Sequence, residues 1–171
     1  LLALSLSLLP QSNPEADSTT AVAPIPALRP LAGLVGPRWV AEFPNGKLTD
    51  TQVWSWAYDG KFLRSVHEVR GAEGRVVYGG ETIYAWDARE ERIAWYYFNA
   101  TGGFVTGTLE PDDEGGEGRY QVAGLNHAPA DQIQEVRGLM AIEEGGWSST
   151  ALALEDGQWR EQAKLVFRPA D

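Results

Sequence analysis

The chain has 171 residues, which is enough for one domain with a sizeable core and too few for two comfortable ones. Hydrophobic residues make up 43% and charged residues 22%, which excludes wholesale disorder, and the formal charge of −10 argues against a nucleic-acid or anionic-membrane partner. The absence of cysteine excludes disulfides, thiolate catalysis and Cys-ligated metal sites.

Residues 1–9 are Leu, Ala and Ser only, and this composition predicts the apolar part of a secretory signal, too short to span a bilayer. A cleavage site is possible after Ala23, although Pro24 follows it directly. Residues 10–30 are rich in Pro, Ser, Thr and Ala and predict a flexible tether. We therefore expect a leader and tether over 1–30, a folded domain over 31–171, and a periplasmic or secreted protein. The alternative is a disordered leader, or a short helix, of a cytosolic protein.

After residue 31, apolar and polar residues alternate with a period of two, and Gly, Asn and Asp interrupt the pattern every 8 to 14 residues. Pairs such as Asp59-Gly60 and Asp156-Gly157 favour tight hairpins. Only the stretch 127–132 is compatible with a helical turn, with His127 on a loop. The predicted strands cover 37–43, 50–58, 61–70, 75–86, 91–99, 103–110, 118–124, 132–143, 147–154 and 158–168.

About ten sequential antiparallel strands have two sheet edges that must be protected, and closing the sheet on itself removes both. The sequence therefore predicts an all-β fold, a single up-and-down antiparallel β-barrel of about ten strands. A β-sandwich is the structural alternative. A barrel of this size has an interior wide enough for packed side chains or for one small ligand.

The segment 34–39, in which Trp39 follows Gly36 by three residues, resembles the entry motif of the calycins, the lipocalin-like barrels. Together with four further segments, it is similar to a bacterial lipocalin-like family of unknown function, related in shape to nitrobindin and the fatty-acid-binding barrels. The resemblance implies that Trp39 plugs one end of the barrel, with Arg168 or Arg160 as its cationic partner. The further segments are 54–56, 59–64, 80–87 and 101–104.

Two histidines offer titratable chemistry, and neither predicts a metal site by itself. His67 lies in the middle of a predicted strand and is a candidate for contact with a ligand or for proton transfer. We expect no cofactor; the alternative is haem ligated by His67, as a single histidine does in nitrobindin-like barrels. The acidic loop 112–117 lacks the spacing of a calcium site and is interpreted as a solvated hairpin.

Aromatic residues recur on one side of several strands, as an apolar small-molecule pocket requires, although such rings can also simply fill the barrel. Glu161 alternates with the apolar residues of the last strand, so it is expected to face inward and to pair with Arg64 or Arg137. The predicted ligand-binding residues are Trp54, Trp56, Arg64, His67, Tyr84, Trp95, Tyr97 and Glu161.

These features predict an exported barrel that binds a small apolar or amphipathic molecule. No catalytic serine or zinc motif is present, so no catalytic residue or metal ligand is assigned. The alternatives are a barrel enzyme of isomerase or cyclase type that uses His67 or Glu161, and a structural or interaction domain without a ligand. We expect no membrane span and no nucleic-acid partner, and the sequence leaves the oligomeric state open.

Overall fold

The computed structural model describes residues 23–127 and 133–170. Within these ranges the chain forms a short 3₁₀ helix and ten β-strands, and none of its helices is long and apolar enough to cross a membrane. The predicted secretory signal in residues 1–9 lies outside the described residues, as does most of the possible helical turn at 127–132. The 3₁₀ helix is Pro26–Leu34, and the strands are β1 Arg38–Glu42, β2 Thr49–Ala57, β3 Phe62–Arg70, β4 Val76–Asp87, β5 Arg92–Asn99, β6 Phe104–Pro111, β7 Arg119–His127, β8 Ile133–Glu143, β9 Gly146–Glu155 and β10 Gln158–Pro169.

Each strand pairs antiparallel with its neighbours in sequence, and β1 pairs with β10, so the sheet closes on itself. The predicted up-and-down barrel is therefore confirmed, and the sandwich is excluded. The strand bounds agree with the predicted ones to within a few residues at most ends. The largest difference is in β7, which continues to His127, a residue expected on a loop.

The 3₁₀ helix closes one end of the barrel, next to the turn between β2 and β3, where the Ile25 amide donates to the Gly60 carbonyl at 3.1 Å. Its side chains Leu28, Leu31 and Leu34 are fully buried and belong to the main hydrophobic core. Burying a leucine completely contributes about 1.5–3 kcal/mol. The packed part of the chain thus includes residues 26–30, which were expected to belong to the tether. The proline content of this segment suits a short 3₁₀ helix as well as an extended linker.

Trp39, at the start of β1, is 5% exposed and belongs to the same core. Its indole Nε1 donates to the Leu34 carbonyl at 2.7 Å, which ties the end of the 3₁₀ helix to the first strand. The expected cationic partners are elsewhere. Arg168 follows the fully buried Phe167 and is exposed on the opposite face of β10, and Arg160 lies near Glu155, with 4.0 Å between their charged atoms.

Glu161 is exposed, and the expectation that it faces inward is wrong. The pairing between β9 and β10 shifts between Glu161 and Ala163, so that Gln162 is an extra residue in a β-bulge. An extra residue reverses the alternation of side chains on one side of the bulge. Trp159 accordingly lies on the outer face of the barrel, where the Arg137 guanidinium is 5.0 Å from its ring centre.

The buried 3₁₀ helix should be essential for stability. Leu31→Ala is expected to lower the free energy of unfolding by about 2–5 kcal/mol, because it leaves a cavity in the core. The matched control is Leu154→Ala, which truncates a leucine that is 59% exposed and should change stability by less than about 0.5 kcal/mol. Urea unfolding of both variants tests this. Equal losses in the free energy of unfolding would contradict the packing described for the 3₁₀ helix.

Candidate functional site in the barrel interior

The barrel contains a partly open cavity of about 220 Å³, to whose wall the 3₁₀ helix contributes no residue. Its walls come from strands β2 to β9, and their inward side chains are aromatic or aliphatic on one part of the surface and polar on another. The apolar lining residues are Trp54, Tyr84, Trp95, Tyr97, Leu109, Val122, Met140 and Trp147, and the polar ones are Asp50, Gln52, Ser65, His67, Thr82 and Ser149.

The aromatic part of the wall is held by ring contacts that continue into the core. Trp54 stacks on Tyr84 with ring centres 5.3 Å apart. It makes an edge-to-face contact with Trp147, with ring centres 5.5 Å apart and an angle of 90° between the ring planes. Trp147 in turn stacks on Phe167 at 4.1 Å. Such pairs contribute about 0.5–1.5 kcal/mol each beyond their burial. The tryptophans that face the cavity are therefore fixed in orientation.

Trp95 lies flat against the wall because two neighbouring strands carry glycine beside it. Gly107 is paired with Trp95 across β5 and β6, and Gly124 is paired with Gly107 across β6 and β7. A Cβ on Gly124 would come within 2.9 Å of the indole ring, and one on Gly107 would come within 2.5 Å. The indole Nε1 donates to the Thr108 carbonyl at 3.0 Å, which anchors the ring there.

One part of the wall is a polar cluster formed by Asp50 of β2, His67 of β3 and the hydroxyl end of Tyr97 of β5. Tyr78 of β4 joins the cluster through its contact with Tyr97 and does not line the cavity. His67 Nε2 and Tyr97 Oη lie 2.9 Å apart, and Tyr97 Oη donates to Tyr78 Oη at 3.0 Å. On its other side, His67 Nδ1 is 3.4 Å from Asp50 Oδ1. The cluster is thus a chain of titratable groups from a carboxylate through an imidazole to two phenols.

Gly80 makes this cluster possible. It is paired with His67 across β3 and β4, and Tyr97 reaches over it from β5 to contact the imidazole. A Cβ at this position would lie 2.6 Å from Tyr97 Oη and equally close to the Phe98 carbonyl oxygen. Only glycine leaves room for the phenol at this point.

Asp50 and His67 are incompletely satisfied. Gln52 donates to Asp50 Oδ2 over a long 3.5 Å, and Ser65 donates to Gln52 Oε1 at 3.3 Å. Asp50 Oδ1 and His67 Nδ1 are buried and make no hydrogen bond with the described residues. The indole Nε1 atoms of Trp54 and Trp147, in the same wall, also lack a partner among the described residues. Since buried polar atoms are nearly always hydrogen-bonded in folded proteins, these four atoms mark the cavity as a place where a bound molecule or water would complete the bonding.

The phenols of the cavity hold their protons strongly. Burial raises the pKa of Tyr97 well above its usual range, and the hydrogen bond to Tyr78 and the negative charge of Asp50 add to the shift. Burial alone raises the pKa of Tyr84 in the same direction. Both groups therefore remain neutral hydrogen-bonding groups at physiological pH.

Five of the predicted ligand-binding residues line the cavity together: Trp54, His67, Tyr84, Trp95 and Tyr97. Trp56 packs against the hydrophobic core and is not part of the cavity wall. Arg64 is on the outer face, where its guanidinium binds Glu81 with two hydrogen bonds of 2.7 and 2.9 Å. Arg137 binds Glu135, so neither expected partner of Glu161 reaches it.

The sequence prediction missed Asp50, Gln52, Ser65, Thr82 and Ser149. Part of the information was present, because Asp50 and Gln52 share the alternation of Trp54, and Ser65 shares that of His67. The same alternation puts Arg64 and His67 on opposite faces of β3. A list built strand by strand from this alternation would have included the polar residues and excluded Arg64.

The haem alternative stays a prediction. His67 lines the cavity, with one imidazole nitrogen in contact with the Tyr97 hydroxyl and the other facing Asp50.

Comparisons with known proteins support the fold. The crystal structure of Rv2717c from M. tuberculosis superposes with a TM-score of 0.58 over 87% of this chain and 100% of that chain, at 14% sequence identity. This likeness shows the barrel fold alone. No protein-family model and no curated protein matches the chain.

The raised pKa values predict an incomplete tyrosine titration. In the folded protein, Tyr84 and Tyr97 should not contribute to the absorbance rise near pH 10, where tyrosines in unfolded chains ionise. Tyr84→Phe and Tyr97→Phe should each leave the native amplitude below about pH 11 unchanged. In urea, each substitution should lower the amplitude of the absorbance rise by the contribution of one of the six tyrosines.

The same shifts have a consequence for stability. A raised folded-state pKa means that these phenols stabilise the fold fully below about pH 10 and lose that contribution as the pH rises above it. The wild type should therefore lose stability more steeply above pH 10 than the double Phe variant. A native titration in which either single variant loses amplitude near pH 10 would contradict the burial of that hydroxyl.

Gly80→Ala should disrupt the polar cluster. The added methyl collides with Tyr97 and with backbone, so we expect a loss of about 1–3 kcal/mol in the free energy of unfolding. Gly33→Ala is the control, since a Cβ there has nothing within 4 Å, and its effect should stay within about 0.5 kcal/mol. Urea unfolding measures both, and a Gly80→Ala protein as stable as the control would show that Tyr97 is not held over this position.

Proposed function

We propose that the protein binds a small amphipathic molecule inside its barrel, with the apolar part among the tryptophans and the polar part beside His67. The observation that carries this proposal is the cavity itself, which has fixed aromatic rings on one part of its wall and a polar cluster on another. A binding pocket typically combines a large apolar contact area with a few orienting polar groups.

The cavity volume of about 220 Å³ limits the size of the ligand. A dry cavity of about 150 Å³ already accepts benzene. Drug-sized ligands occupy pockets of roughly 300–1,000 Å³. The proposed ligand is therefore a compact molecule, such as one aromatic ring or a short branched chain with a polar substituent.

Two broader features belong to the same proposal. We infer export from the apolar run of residues 1–9, so cell fractionation should find the protein outside the cytoplasm, and a cytoplasmic pool alone would contradict this. A relation to the calycins is proposed from the Gly36 and Trp39 motif together with the closed barrel and the burial of Trp39 at the start of β1, where its indole donates to the Leu34 carbonyl.

A barrel enzyme is the second candidate, and it rests on His67 because Glu161 faces solvent. The contact of His67 with both Asp50 and Tyr97 in a cavity is an arrangement suited to proton transfer. Its test is whether the protein exchanges the α-hydrogens of 1-phenylpropan-2-one for deuterium in D₂O, followed by NMR. Exchange that persists in His67→Asn would exclude this role.

Binding can be tested with 2-phenylethanol, 2-phenylethylamine and phenylacetate, which share one skeleton and differ in the charge of the polar group. The indole N–H signals of the seven tryptophans report the site in ¹⁵N-labelled protein. We expect at least one probe to shift the signals of Trp54, Trp95 and Trp147 in a saturable way. The signals of Trp86 and Trp159, which lie away from this cavity, should stay in place.

The control places the same substitution at a second position. Ser149→Phe should fill the cavity and abolish the shifts, whereas Ser55→Phe adds the same ring on the opposite face of β2 from Trp54 and should leave them unchanged. If none of the three probes moves the cavity signals, or if Ser149→Phe binds as well as the wild type, the proposed site is wrong.

A further inference from the structure

The ionisable side chains of the cavity wall favour negative charge over positive charge. Among the described residues that line it, Asp50 is the one carboxylate, and neither lysine nor arginine is present. The nearby arginines of β3 are engaged by glutamates, Arg64 by Glu81 and Arg70 by Glu68. A ligand with a negative head group would therefore find no permanent cation in this wall, and a positive one would find a carboxylate.

Asp50 is poorly compensated by the protein. It is 5% exposed, and its only hydrogen bond from a described side chain is the long one from Gln52. The His67 imidazole lies beside it, with Nδ1 3.4 Å from Asp50 Oδ1, but makes no hydrogen bond with it. A buried carboxylate is costly unless a partner compensates it.

The aromatic part of the wall lies farther along the same strand. Trp54 is four residues from Asp50, which corresponds to about 13 Å along β2. Tyr97 stands beside His67 and lies two residues from Trp95 on the same face of β5. Aromatic faces attract cations, and tryptophan surfaces bind apolar groups. The cavity thus has one region for a cationic head and one for a compact apolar body.

We propose that the ligand is an organic cation, an amine or ammonium group on a small aromatic or branched aliphatic body, with Asp50 as its counter-ion. This inference rests on the proposed function, since it assigns the charge of the molecule bound in the same cavity. The net charge of −10 adds a long-range attraction for cations and disfavours anions such as fatty acids.

The test compares 2-phenylethylamine with 2-phenylethanol and phenylacetate by calorimetry and by the indole N–H shifts. We expect the amine to bind at least about tenfold more tightly than the alcohol, the gain typical of a hydrogen bond to a charged group, and phenylacetate not to bind. Raising the salt concentration should weaken the binding of the amine far less than it would weaken a surface ion pair, because Asp50 is buried.

Asp50→Asn removes the charge and keeps the shape of the side chain. It should reduce the affinity for the amine to that for the alcohol while leaving the alcohol unchanged. Glu68→Gln is the matched control, because Glu68 is a carboxylate of β3 next to His67 but on the opposite face of the strand. This variant should have the wild-type affinity, or lack of affinity, for each of the three probes.

The outcomes separate this inference from the proposed function. If the alcohol binds in the cavity as tightly as the amine, or if phenylacetate binds best, the cation preference is wrong and the binding function stands. If no probe binds, both fail. The wild-type ranking of the three probes decides the matter even if Asp50→Asn does not fold.

Discussion

Closure of the barrel depends on the pairing of its first and last strands, and that seam is short. Trp39 is paired with Pro169 and Val40 with Arg168, and the Ala170 amide donates to the Arg38 carbonyl at 2.7 Å. Proline has no amide hydrogen to donate, so the amide of the next residue supplies this bond. The 3₁₀ helix reinforces the seam, because the indole of Trp39 holds the carbonyl of Leu34 in the same stretch of chain. Without this closure the aromatic and polar walls would not enclose a common space.

The fold was predictable from the sequence because its signals are local and repeated. Alternation with a period of two gave the strands, and Asp-Gly pairs gave turns such as that at Asp156 and Gly157, whose φ angles of 50° and 77° suit a two-residue hairpin. Sequential hairpins then leave few arrangements other than a closed sheet. The plug was only partly predictable. Trp39 was assigned to it from the resemblance, but Leu28 and Leu31 fell in a proline-rich segment that looked like a linker.

The site was predictable only where strand alternation is regular. Trp54, Tyr84, Trp95 and Tyr97 were placed correctly on the inner face, since large aromatic side chains on alternate positions favour burial. The predicted inward orientation of Glu161 was wrong because a bulge at Gln162 reverses the alternation. A one-residue insertion in the strand pairing has no clear mark in a single sequence. The polar cluster was predicted only in part, since His67 and Tyr97 were named but Asp50 and Tyr78 were not. Its members come from four strands, and the contact of His67 with Tyr97 depends on Gly80 between them, which follows only from the register.

The facing glycines of β6 and β7 have a consequence for how such an interior can diverge. Gly107 and Gly124 recess the indole of Trp95 into the wall, so the lumen is wider there than a sheet with ordinary side chains would allow. A larger residue at either position would displace the indole and narrow the lumen. It would also strain the strand pairing, because its Cβ would lie 2.1 Å (Gly107) or 2.6 Å (Gly124) from a backbone oxygen of the neighbouring strand. The width of the interior at this level is thus set by two glycines, and they hold open the space beside Trp95, two residues from Tyr97 on the same face of β5.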